Sequence, residues 1–224
     1  MNQEWLNYLR RRLREPLPGH AAHRQMLPQH QGRERPLVPP SGSNPAAVLV
    51  LFIADAPTPT CVLTLRAAQL THHRGEWSFP GGMLHTGESA PEAAIREATE
   101  ELGIPPEAIE ILGTATPLYV PASNAAVIPI AAALSPYAAF HPNPAEVEEV
   151  FLLPLERLQT AERLVETWSR GGTMLTVPLW RVHPRAPLWG ATAMILSEFL
   201  ALYSDFTRHL LLRQMSPPLS KGPP

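Results

Sequence analysis

Aliphatic and β-branched runs bounded by Gly, Pro, Asp and Asn predict strands at 46–53, 60–66, 76–79, 110–118, 126–133, 147–153 and 173–182. Apolar residues recurring three and four apart predict helices at 90–102, near 155–168 and at 191–212. Before these, Asn2 to Arg14 has the pattern of a short amphipathic helix, with Trp5, Leu6, Leu9 and Leu13 on one side and Arg10, Arg11, Arg12 and Arg14 mostly elsewhere. No segment repeats. Many strands with few intervening helices indicate an α+β chain or α/β/α layering, not a doubly wound parallel sheet. The expected organisation is an N-terminal helix and Pro-rich linker over 1–45, one domain over 46–213, and a disordered tail over 214–224.

The helix at 90–102 has the clearest boundaries. Ser89 and Glu92 have capping-box spacing, and Gly103 suits a left-handed stop. At about 100° per residue, Ile95, Ala98 and Leu102 fall on one apolar stripe, and Glu97, Glu100 and Glu101 cluster on the opposite side. Like charges at this spacing destabilise a helix, and no Lys within it neutralises them. A hard divalent cation, Mg2+ or Mn2+, is the natural compensation, since both take oxygen ligands from carboxylates and substrate phosphates. Arg96, beside Glu97 and one turn from Glu100, can hold a ligating carboxylate in one rotamer. The competing reading is a solvated acidic face.

The run from Gly82 to Ile104 resembles the Nudix box, G-x5-E-x7-R-E-U-x-E-E-x-G-U with U aliphatic. Gly82, Glu88, Arg96, Glu97, Ala98, Glu100, Glu101, Gly103 and Ile104 all match. The resemblance implies a Nudix fold, a mixed β-sheet sandwiched between α-helices, and metal-assisted attack of water on a pyrophosphate. It makes Glu97 and Glu101 the leading metal ligands, with Glu100 joining directly or through water. It also implies a further Glu from a later loop; of Glu146, Glu148 and Glu149, the choice is Glu146. Glu88 is expected to brace the loop rather than touch metal.

Just upstream, Val62 to Gly82 is similar to the signature of coenzyme A pyrophosphatases within that family, L-L-T-x-R-S/A-x3-R-x3-G-x3-F-P-G-G. Leu63, Thr64, Arg66, Ala67, Gly75, Phe79, Pro80, Gly81 and Gly82 match. Val62 replaces the first Leu, and Thr71 stands where the signature has its second Arg; Arg74, His72 and His73 are the neighbouring sources of the lost charge. On this resemblance Arg66, Arg74, Phe79, Gly81 and Gly82 are expected at the substrate, with Arg66 at the 3′-phosphate. The products would be 3′,5′-ADP and 4′-phosphopantetheine or its acyl form. Segments around His141 to Leu155 and Leu188 to Leu196 are also similar to such proteins, with Trp189 and Thr192 weak site candidates beside a packed-helix reading. Two alternatives are a Nudix hydrolase of an ADP-sugar or dinucleotide and a non-catalytic Nudix-fold binding module, which would usually have lost box carboxylates.

Composition narrows the setting. The net charge of −2 gives no case for a nucleic-acid surface, so a small phosphorylated molecule is the expected partner. No run approaches the roughly 18 apolar residues of a membrane span. One cysteine, Cys61, excludes an internal disulfide and fits a reducing compartment. The first 40 residues lack Ser and contain Glu4, Glu15 and Glu34, unlike a transit peptide, so a cytoplasmic location is expected. A homodimer is left open. The 27 prolines fall largely outside the expected core.

Overall fold

A computed structural model describes residues 1–32, 34–70, 74–136, 138–170 and 172–215. Of the tail expected over 214–224, residues 214 and 215 end the last helix, while 216–224, and Thr71, His72 and His73, lie outside these described residues. The chain runs α1 (Asn2–Arg12), α2 (Gly19–His23), β1 (Gln29–His30), β2 (Asn44–Ile53), β3 (Thr60–Arg66), β4 (Trp77–Ser78), β5 (Gly81–Met83) and α3 (Ala90–Leu102). It continues through β6 (Ile109–Thr114), β7 (Leu118–Val120), β8 (Ala125–Leu134), β9 (Val147–Pro154), α4 (Leu155–Thr160), β10 (Leu164–Arg170), β11 (Thr173–Trp180), β12 (Leu188–Trp189) and α5 (Gly190–Met215).

β2 and β8 run parallel, in register from Asn44↔Ala125 to Ile53↔Leu134. β3, β4, β5, β6, β7 and β9 complete a mixed eight-stranded sheet through antiparallel pairings. β2 is apolar throughout its middle because both of its faces are covered. Ala47, Leu49 and Leu51 meet Ala93, Ala94, Ala98 and Leu102 of α3 on one side. Val50 and Phe52 meet Trp5 and Leu9 of α1 and Phe199 and Leu202 of α5 on the other. The result is the expected α/β/α sandwich. β1, β10, β11 and β12 form a second, four-stranded antiparallel sheet.

The N-terminal residues are part of this packing. Trp5 is fully buried, its ring 5.5 to 5.8 Å from Tyr8, Phe52, Tyr203 and Phe206. Within 15–45, Met26, Leu27 and Leu37 are buried, the Ser197 hydroxyl donates to the Ala22 carbonyl at 2.7 Å, and β1 joins β11. Buried Glu198 of α5 accepts from the Gly19 N–H at 2.9 Å and the Thr116 hydroxyl at 2.6 Å, tying α2 to the β6–β7 turn.

Some sequence expectations need correction. The helix expected over 155–168 stops at Thr160, and Leu164–Arg170 is strand β10, as its Val165, Thr167 and Trp168 favour. The strand expected over 110–118 is two pieces, β6 and β7, on either side of Pro117. The long helix expected over 191–212 is α5, Gly190–Met215; of the Leu188–Leu196 segment given a packed-helix reading, only Leu188 and Trp189 differ, forming β12. Among the described residues, no helix is long and apolar enough to cross a membrane.

Candidate active site

The site is built around α3. Its capping box is complete: the Ser89 N–H and hydroxyl donate to Glu92 Oε2 at 2.8 and 2.6 Å, and the Glu92 N–H donates to Ser89 Oγ at 3.5 Å. The helix ends at Gly103, φ 64°, where a Cβ would lie 2.7 Å from that of His141. This close approach docks the next loop onto the helix end: the His141 N–H donates to the Leu102 carbonyl at 2.7 Å and the Asn143 N–H to the Glu101 carbonyl at 2.9 Å. The same loop delivers Glu146, whose carbonyl accepts from the Ala67 N–H at 2.8 Å and whose Oε1 accepts from the Asn143 amide at 3.1 Å.

The carboxylates of α3 do not share a solvent face. Glu97 and Glu101 fall within the arc that carries Ala93, Ala94 and Ala98 onto the sheet, while Glu100 is half exposed at the outer edge. The three alanines let the helix lie close to β2 and β5, and this draws the two acids inward. Gly82 makes room for Glu97: a Cβ there would stand 2.2 Å from Glu97 Oε1. Glu101 is 2% exposed, and its Oε2 is buried without a hydrogen-bond partner.

Burial pushes the Glu101 carboxyl up to about 8. Arg66, with Nη1 3.9 Å from Glu101 Oε1, and the Gly81 N–H oppose that rise, whereas the charges of Glu97 and Glu146 add to it. The chain therefore brings Glu97 and Glu146 into the field of Glu101, with the Arg66 guanidinium beside it. Arg96 braces the opposite edge. It donates to Glu88 Oε1 at 2.8 Å, Glu97 Oε1 at 2.9 Å, Glu100 Oε2 at 3.3 Å and the Met83 carbonyl at 3.1 Å. The hydrogen bond from Arg96, followed by one from the His85 N–H, holds the Glu88 carboxyl at about 2.

The other expected residues have distinct placements. Glu148 and Glu149 pair with Arg185, and Glu149 also lies 3.1 Å from His183 Nε2. β9 is bulged at Glu148, because Glu149 pairs with Leu65 and Val147 with Arg66. Arg74 is exposed on the β3–β4 loop. Phe79, expected at the substrate, is buried in the larger core at 3% exposure, so its ring anchors the Pro80–Gly82 backbone and presents no open face. Gly81 and Gly82 form β5 beneath α3, paired to Val48 and Ala47. The Thr192 hydroxyl donates to the Trp77 carbonyl at 3.0 Å, a packing role, and Trp189 stands edge to face with Trp168.

The donor set suits a hard divalent cation. All candidates are carboxylate oxygens, one of them buried and unpartnered, as Mg2+ and Mn2+ prefer. Among the described residues no group of three or more His, Cys, Asp or Glu side chains stands close enough together to hold a metal ion in this arrangement. The segment from His141 was legible as a resemblance, but the docking of His141 and Asn143 on the end of α3, which sets Glu146, was not.

The family model described as NUDIX domain matches residues 43–171. The chain is 35% identical over 195 residues to the uncharacterized Nudix hydrolase NudL of Pectobacterium atrosepticum, covering 80% of this chain and 88% of that one. It is 36% identical over 168 residues to the human mitochondrial coenzyme A diphosphatase NUDT8, covering 72% of this chain and 70% of the relative. Among solved structures, that of a C. elegans Ap4A hydrolase superposes with a TM-score of 0.48 at 20% identity, over 74% of this chain and 98% of that one.

Proposed function

The chain belongs to the Nudix hydrolases, a family of pyrophosphohydrolases, and we propose that within it the substrate is coenzyme A or a coenzyme A thioester. The observation that carries the reading is the placement of the upstream signature. Its first half ends β3 at Arg66, beside Glu101, and its second half forms β5 at Gly81 and Gly82, against Glu101 and Glu97. The 36% identity to a protein named as a coenzyme A diphosphatase supports it.

Nudix hydrolases generally use a divalent metal ion, and such an ion supplies charge neutralisation at the phosphate oxygens and acidifies a bound water. Glu97 and Glu101 would hold it, with Glu100 joining from the outer edge. Arg96 fixes the Glu97 rotamer and, through Glu88 and the Met83 carbonyl, ties it to the β5–α3 loop. Glycines at 81 and 82 let the pyrophosphate approach the main chain. Glu146 has one oxygen held by Asn143; the other, Oε2, takes the proton of the attacking water. Arg74, exposed on the adjoining loop, is the candidate for the outer phosphate.

One observation favours a second reading. Thr71 removes a signature cation, and an ADP-sugar or dinucleotide, which lacks the 3′-phosphate, has no need of it. Competition between coenzyme A and ADP-ribose in one reaction separates the two. Preferential consumption of coenzyme A supports the first reading, and preferential consumption of ADP-ribose supports the second.

A further inference from the structure

We propose that Arg66 acts at the scissile pyrophosphate, where it also competes with the divalent cation for Glu101, and not at the 3′-phosphate where the sequence alone directs it. Arg66 closes β3 at the bulge opposite Val147, and its guanidinium turns toward α3. The 3.9 Å between Nη1 and Glu101 Oε1 is an ion pair too long to be a hydrogen bond, so Glu101 does not use up the donors of the fork. Nε is buried and unpartnered, as is Oε2 of the same Glu101. Two unsatisfied buried groups of opposite character at one place point to a missing pair of ligands, an anion for the donor and a cation for the acceptor.

A pyrophosphate with its divalent cation has both characters. Its oxygens would occupy the Arg66 fork while the cation is held on Glu101. In coenzyme A the pyrophosphate and the 3′-phosphate hang from different ribose carbons, so a guanidinium seated against Glu101 serves the former. Arg66 is a cation 3.9 Å from Glu101, so a divalent cation seated on Glu101 would meet its repulsion.

This inference rests on the pyrophosphate chemistry proposed above. Its test measures kcat/KM for Arg66→Ala and Arg66→Lys on coenzyme A and on dephospho-coenzyme A, which lacks the 3′-phosphate. Mn2+ binding to the metal-free proteins is titrated alongside by electron paramagnetic resonance. Arg66→Ala is expected to lose roughly 10² or more on both substrates alike, the scale for removing one preorganised donor to a developing charge. It is expected to bind Mn2+ alone at least about threefold more tightly, since a nearby cation is gone. Arg66→Lys, which keeps the charge without the fork, should fall between in rate and leave Mn2+ affinity near wild type.

A loss on coenzyme A that exceeds the loss on dephospho-coenzyme A by tenfold or more would return Arg66 to the 3′-phosphate and overturn the proposal. Unchanged or weaker Mn2+ binding in Arg66→Ala would overturn the competition with metal. If Arg66→Ala does not fold, Arg66→Lys carries the substrate comparison with the same criteria. Should wild type cleave ADP-ribose but not coenzyme A, the substrate reading fails by itself. The Arg66 comparison then runs on ADP-ribose, where a loss near 10² supports it and an unchanged rate overturns it.

Discussion

Adjacent glycines under α3 should respond to the same substitution in opposite ways. In Gly82→Ala the new Cβ would fall 2.2 Å from Glu97 Oε1 and 2.6 Å from its Cδ, so the carboxylate must retreat by about 1.2 Å to reach ordinary contact at 3.4 Å. The obstacle is the far end of a side chain, so folding should lose less than about 1.5 kcal/mol, as for a modest overpacking that can relax. The retreat breaks the 2.9 Å bond from Arg96 and displaces a proposed ligand, and a misplacement near 1 Å costs about 10² in rate. In Gly81→Ala the Cβ would meet the Ala47 carbonyl oxygen at 2.4 Å and Val48 Cα at 2.7 Å, backbone of the central strand β2, which cannot step aside. That substitution should destabilise by about 1–3 kcal/mol or more. Urea unfolding of both variants, with turnover and Mn2+ titration, separates the effects. A fully active Gly82→Ala refutes the placement of Glu97 against β5, and a Gly81→Ala as stable as wild type refutes the close packing of β5 on β2.

Three further expectations follow from other contacts. Glu146→Gln should lose roughly 10² or more in turnover and the acidic limb of its pH profile, whereas Glu148→Gln and Glu149→Gln, whose carboxylates are engaged by Arg185, should be milder; an active Glu146→Gln beside a dead Glu148→Gln or Glu149→Gln would transfer the role. The Glu88 carboxyl is held at about 2, below its ordinary 4.5, so the stability it contributes is present above pH 4.5 and lost as pH falls toward 2. Denaturation midpoints of Glu88→Gln should accordingly show a shallower decline across that window, and a decline identical to wild type would count against the Arg96 bond. Trp5→Ala should cost about 3–5 kcal/mol, because its buried ring joins α1 to α5; a loss below about 1 kcal/mol by calorimetry would mean that α1 is dispensable.

Local signals in the sequence located α3 well and its orientation badly. Ser89, Glu92 and Gly103 act within a turn of the helix ends, so its limits of 90 and 102 follow from the sequence. The side on which its acids lie depends on what covers the helix. Ile95, taken as core, is only half buried, and Ala93 and Ala94 supply the contact that draws Glu97 and Glu101 toward the sheet. Small residues weigh little in a hydrophobic pattern, yet they permit the closest packing. Strands β1 and β12, each two residues long, have no period to detect. Glu146 could be favoured over its neighbours only through the docking of His141 on Leu102, a contact between segments about 40 residues apart. Met26, Leu27 and Leu37, isolated among prolines and glutamines, gave no sign that 15–45 packs against α5 and β11.

The most direct test of the account is the mass of the products formed when the purified protein is incubated with coenzyme A and Mg2+ or Mn2+. The expected pair is 3′,5′-ADP and 4′-phosphopantetheine, formed only when metal is present. Coenzyme A left intact while ADP-ribose or a dinucleotide is cleaved, or cleaved at any bond other than the pyrophosphate, would contradict it.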